Sequence, residues 1–185
     1  MEFRLTYDGP LKATAGVNEK HELRKVFHDQ FKVLWEQVPL VDNLDLLEDP
    51  PKKNRISIIT GFDDFKFAPL VCEKLHLICE LDIILLRPEA PGSVVTQGGD
   101  IDNRLKTLFD SLRMPKNQNE IPSNISSEDL DTPFFCLLED DNLITKVNVS
   151  TDRLLRENAG QNDVLIVLHV LTKAVRAIWG NIGLG

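Results

Sequence analysis

The stretch "LHLICELDIILLRP", Leu75 to Pro88, decides how the rest of the chain is read. Leu77, Cys79, Leu81, Ile83 and Leu85 fall on one side of a two-residue period, so this is the strongest strand of the chain, with one apolar face. The opposite side carries Glu80 and Asp82 among Ile78, Ile84 and Leu86. Acids on the exposed side of a half-buried strand are the plain reading of that pair, and a place beside a metal is the alternative. Other strands follow from the same alternation: Glu2 to Tyr7, Ile56 to Thr60, "FKFAPLV" after the turn-like "GFDD", the short run in "TPFFCLLEDD", "NLITKVNVS" with Leu143, Thr145, Val147 and Val149 on one face, and "DVLIVLHVL". His169, apolar on both sides, reads as a satisfied core histidine.

Two longer helices stand out. From Glu19 to Val38, Leu23, Val26, Phe27, Phe31, Val33, Leu34 and Trp35 recur at three- and four-residue spacings, with Asn18 a plausible N-cap and Pro39 the stop. Lys20, Arg24, Lys25, His28 and Lys32, mixed with Glu19, Glu22 and Asp29, read as its solvated face. "GGDIDNRLKTLFDSL", Gly98 to Leu112, places Leu105, Leu108, Phe109 and Leu112 on one helical stripe and Asp102, Lys106, Asp110 and Arg113 on another. "VDNLDLLEDPPKKNR" and "PEAPGSVVTQGG" read as surface connections, and "TKAVRAIWGNIGLG" as a short terminal helix with a frayed end. The order predicts an α+β (mixed α/β) fold: residues 1–185 form one domain with one principal mixed sheet flanked by helices, and a mobile polar loop or insertion at about 114–131.

Composition narrows the function classes. At 42% hydrophobic and 27% charged, with no apolar run near the roughly 18 residues a membrane helix needs, the chain reads as an ordinary globular protein. Its beginning, "MEFRLTYDGP", lacks the basic start and apolar run of a secretory signal, so a cytoplasmic protein is expected. Cys72, Cys79 and Cys136 have no metal or disulfide spacing and are expected to be reduced core residues. The net charge of -8 argues against a long nonspecific grip on a phosphate backbone. An acidic cluster that binds divalent ions has its charge offset, however, so nucleic acid stays open as a partner.

The chemistry-bearing residues are acidic. Asp100 and Asp102 form a D-x-D pair at the start of the second helix, and each is also a natural helix cap. Hard cations such as magnesium take one or two carboxylates, with water and phosphate oxygens completing the shell. The triplet Glu139, Asp140 and Asp141 can supply a distant third acid, although "EDDN" also reads as a simple turn. Lys106 follows Asp102 by four residues, one turn along the same face, where its ammonium can approach a phosphate. Arg104 points elsewhere, toward an outlying phosphate or a surface ion pair.

"GDIDNRLKTLFDSL" followed by "LLEDDNLI" resembles the RusA-like family of Holliday junction resolvases. Asp100, Asp102 and Asn103 match its D-x-D-N, Lys106 its lysine, Phe109, Asp110 and Leu112 its F-D-A-L-like helix, and Asp140 and Asp141 its later acidic pair. The specific likeness covers about residues 98–149. It implies that Asp100, Asp102 and Asp141 bind magnesium, for which manganese can substitute, with Asp140 the weaker choice. It also implies that Lys106 assists at the phosphate and that a homodimer makes paired phosphodiester nicks in a four-way DNA junction; Lys106 and, from its helical position, Arg104 are the expected DNA contacts. A nuclease for other branched DNA and a noncatalytic DNA-binding or accessory protein on the same fold are the competing expectations. Two departures stand out: the long polar segment 114–131 between Asp102 and Asp141, and the uncharged "SVVTQGG" ahead of the D-x-D.

Overall fold

A computed structural model describes residues 1–53, 55–89 and 100–185, with only the backbone of Asp100. The fold is mixed α+β. Most of the connection expected at "PEAPGSVVTQGG" lies outside the described residues. Strand β1 (Glu2–Pro10) is followed by helix α1 (Val17–Trp35), a 3-10 segment (Leu40–Leu47), β2 (Thr60–Phe62), β3 (Phe65–Val71) and β4 (Leu77–Arg87). Helix α2 (Asp100–Leu112), β5 (Phe134–Leu138), β6 (Ile144–Arg153) and β7 (Asp163–Ala174) complete the chain. Among the described residues no helix is long and apolar enough to cross a membrane.

The principal sheet has four strands in the order β1-β7-β4-β6. Strand β4 runs antiparallel to β7 and parallel to β6, and β1 runs antiparallel to β7. The apolar face expected of β4 is the core face: Leu77, Cys79, Leu81, Ile83 and Leu85 are all buried, the last three opposite Val170, Leu168 and Ile166 of β7. A second sheet of three strands, β2-β3-β5, was not foreseen. Its core strand β3 is buried on both faces at Phe67, Ala68, Leu70 and Val71, so it shows no alternation and only its apolar run announces it. The expected strand at Ile56 to Thr60 starts only at Thr60; Ile58 is buried, and its N–H is spent on the Leu46 carbonyl at 2.9 Å.

Helix α1 buries Leu23, Phe27, Phe31 and Trp35 on one stripe. Its N-cap is Gly16, whose N–H donates to the Glu19 carboxylate at 2.8 Å, so Asn18 lies inside the helix rather than capping it. On the face expected to be solvated, Glu19, Glu22, Lys25, Asp29 and Lys32 are exposed, but Arg24 and His28 are buried, at 2% and 4%. Arg24 donates to the Glu120 carbonyl and His28 stacks on Phe134, while within 114–131 Ile121 is buried beside Phe65, Phe67, Phe134 and Cys136 in a second apolar cluster. The three cysteines are unpaired and buried, as expected. The chain ends in a 3-10 turn, Trp179–Asn181, in place of a frayed helix, and Leu184 is fully buried.

His169 faces away from the core. Its ring lies on the outer face of the principal sheet, 3.6 Å from Glu2 and 3.7 Å from Asp82. Glu80, on the same face, pairs with Lys173 and, at 3.9 Å, with Lys146, so the plain reading of the two β4 acids holds.

Candidate functional site

Helix α2 displays the D-x-D motif. The helix begins at Asp100, which puts Asp102 in its first turn, where a negative charge is favoured by the unpaired N–H groups. Asp102, Asn103 and Lys106 are exposed, and neither Asp102 nor Lys106 is paired with any described residue. One turn separates them, so carboxylate and ammonium share an open helical face. Leu108 and Leu112 are buried beneath, as the apolar stripe required.

Two other members of that charged strip behave differently. Asp110 and Arg113 are buried, and they sit in an ion network reaching from α1 to the 114–131 segment. Lys20 pairs with Asp110 at 2.6 Å, Arg113 with Asp110 at 3.2 Å, and Arg113 with Glu120 at 2.8 Å. Arg24 donates to the carbonyls of Asp110 and Glu120, both at 2.9 Å. Burial works against the charged form of Asp110, yet the ion pairs with Lys20 and Arg113 hold its pKa below the ordinary carboxylate range. The Asp of the F-D-A-L-like helix is thus a structural anchor. Sequence reasoning missed this network because Lys20 and Arg24 belong to a face that looks solvated until residues some ninety positions away fold over it.

Arg104 requires a correction. Expected on the surface near phosphate, it is 4% exposed, and its guanidinium donates to the Leu11 carbonyl and to Asn162 Oδ1, the latter at 3.2 Å. It ties α2 to the end of β1 and to the turn before β7, and it is unavailable to DNA.

The later acids occupy the other end of α2. Met114 donates to the Leu138 carbonyl at 2.9 Å, which joins the exit of α2 to the end of β5. Asp140 pairs with Lys116 at 2.5 Å, and that hydrogen bond foremost lowers the Asp140 pKa to about 2. Burial disfavours the Arg113 cation, but Glu120 first, then Asp110 and Asp141, raise its pKa, so Asp141 lies within electrostatic reach of the α2 exit. The Glu139 carboxylate accepts from the Glu73 N–H at 2.9 Å. Asp102 and Leu112 are separated by ten residues, about 15 Å of helical rise. The structure therefore brings Asp102 and Lys106 together, and separately Asp140 and Asp141 with Lys116, but it does not bring Asp141 to Asp102 within one chain. The Asp100 side chain lies outside the described residues.

The donor chemistry suits a hard divalent cation, since every candidate ligand is a carboxylate. No three His, Cys, Asp or Glu side chains converge among the described residues, which leave out the side chain of Asp100. Compared with protein-family models, curated proteins and solved structures, the chain has no match.

Proposed function

We infer that the protein is a magnesium-dependent endonuclease that cuts branched DNA, with the four-way junction as its preferred substrate. The observation that carries this reading is that Asp102 and Lys106, one turn apart at the beginning of α2, are exposed and have no partner among the described residues. The ordered set Asp100, Asp102, Asn103, Lys106, Asp140 and Asp141 stands beside it. Asp100 and Asp102 would hold magnesium, with water and substrate phosphate oxygens as the remaining ligands, which is how this ion is commonly held. When bound, it supplies Lewis acidity and a nucleophilic hydroxide. Lys106 places positive charge where the phosphate gains negative charge. Asp141 would serve from the far end of α2, on a second strand or from a second copy of the chain.

A homodimer fits this chemistry, because a two-fold protein presents two equivalent sites to a two-fold junction. The surface available for it is the outer face of the principal sheet. There Leu165 and Val167 of β7 lie opposite Leu86 and Ile84 of β4, Ile84 is 48% exposed, and Asp82, His169 and Glu80 continue the same face as its charged part.

The second reading, a noncatalytic DNA-binding protein, is favoured by one observation, the helix length separating Asp102 from Asp141. Incubating the protein with labelled four-way, flap and linear DNA, with magnesium and with chelator, separates the readings. Symmetric nicks in the four-way substrate that vanish with chelator support the nuclease. Binding with no cut in any substrate supports the second reading.

A further inference from the structure

Trp179 is 90% exposed, although an indole is among the most rewarding side chains to cover. It is not on a loose tail. Asn181, 3% exposed, donates through its amide nitrogen to the Leu75 carbonyl at 2.7 Å and to the Arg176 carbonyl at 2.8 Å. Its amide oxygen accepts from the Ile178 N–H at 3.0 Å. Leu184 locks the following residues into the core. The fold thus spends a buried Asn and a buried Leu on holding an indole out in solvent.

The indole borders a groove of about 760 Å³ between the 3-10 segment at residues 40–47 and the C-terminal turn. The groove lining carries Arg55, Lys74 and Arg176 as full cations against Asp42 and Asp45. Asp45 is already neutralised by Arg55 at 3.3 Å, and Arg176 has no side-chain partner among the described residues. Cationic excess at an exposed aromatic is notable in a chain of net charge -8. The groove also adjoins the later acids: Lys74 follows Glu73, whose N–H donates to Glu139 of the acidic turn.

We propose that this groove binds an unpaired DNA strand, one base stacking on Trp179 while the flanking phosphates meet Arg176 and Lys74. Base stacking on an aromatic within a basic groove is the general means of holding single strands without regard to sequence. A strand leaving a junction beside the Glu139–Asp141 turn would pass directly over Lys74 into it. The proposal rests on DNA being the partner of the candidate site, but not on cleavage.

The chain's two tryptophans make the test direct, because Trp35 is 3% exposed and Trp179 is open. The full chain is titrated with oligothymidylate in chelator, and tryptophan emission is followed. Quenching that saturates, weakens with salt and disappears in Trp179→Ala is the expected result. Binding of that variant, measured by oligonucleotide anisotropy, should fall about tenfold. Arg176→Ala should bind several-fold more weakly with emission otherwise unchanged, and Trp35 emission reports that each variant is folded. Binding with no change in Trp179 emission, or no binding of the oligonucleotide, overturns the proposal even if junctions are cut. Emission that depends on protein concentration alone, without DNA, would mean that a second copy fills the groove and also overturns it. Quenching without any junction cleavage leaves this site standing and removes the nuclease reading instead.

Discussion

Arg104 is 4% exposed, and its guanidinium donates hydrogen bonds to the carbonyl of Leu11 and the amide oxygen of Asn162. A buried carbonyl stripped of its donor loses about 1–3 kcal/mol, so Arg104→Ala should destabilise the fold by roughly that amount or more. Urea unfolding reads this directly, and a loss below about 0.5 kcal/mol would contradict the structural role. Lys106, two positions along, is the contrast: exposed and unpaired, it can be replaced by Ala with little change in stability, within about 0.5 kcal/mol. The pair illustrates what residue type alone conveys. Two cations on one helix look alike in the sequence, and the arrival of residues 11 and 162 beside Arg104 makes an anchor of one while Lys106 stays exposed.

At the scale of elements, α1 and the 114–131 segment act as one unit. Arg24, His28 and Lys32 lie four residues apart along α1 and hold this segment at Glu120 and Asp131. The hydrogen bonds from His28 and then Lys32 lower the Asp131 pKa to about 2. A carboxylate with a depressed folded pKa contributes stability above its unfolded value, near 4, and loses it as the pH falls toward 2. Asp131 is 59% exposed, so solvent screening limits the contribution to about 1 kcal/mol at most. Asp131→Asn should therefore be less stable than the parent at pH 7, and the gap should close as the pH drops below 4. A gap of equal size at both ends of that range would contradict the ion-pair account. The homodimer proposed on the outer face of the principal sheet makes a second prediction: Ile84→Lys should convert it to monomer in sedimentation while leaving the monomer folded, because Ile84 is 48% exposed. A parent that is already monomeric would remove this interface.

Across the whole molecule, the legible parts were those whose physics is local. The alternation of β4 and the apolar stripe of α2 gave the centre of the sheet and the helix under the D-x-D, since periods of two and about 3.6 need no knowledge of the partner. The second sheet, the clamp between α1 and residues 114–131, and the outward face of His169 were not legible, because each depends on which distant segment arrives. The candidate site divides the same way. Asp102 and Lys106 could be paired from their spacing, whereas the position of Asp141, a helix length from Asp102, comes from Met114 and Leu138 meeting across an intervening segment. Trp179 had no sequence signal, as an aromatic near a chain end is usually covered.

The central claim is that α2 presents a metal-dependent cutting site to branched DNA. It is tested most directly by comparing the parent protein with Asp102→Asn on a labelled four-way junction in magnesium, with junction binding measured in chelator on the same samples. The account predicts paired nicks by the parent, a loss of at least about a hundredfold in Asp102→Asn, and nearly equal binding by both, since the substitution removes a ligand and leaves the fold intact. Equal cutting by both proteins, or binding by the parent with no magnesium-dependent cut, would contradict it.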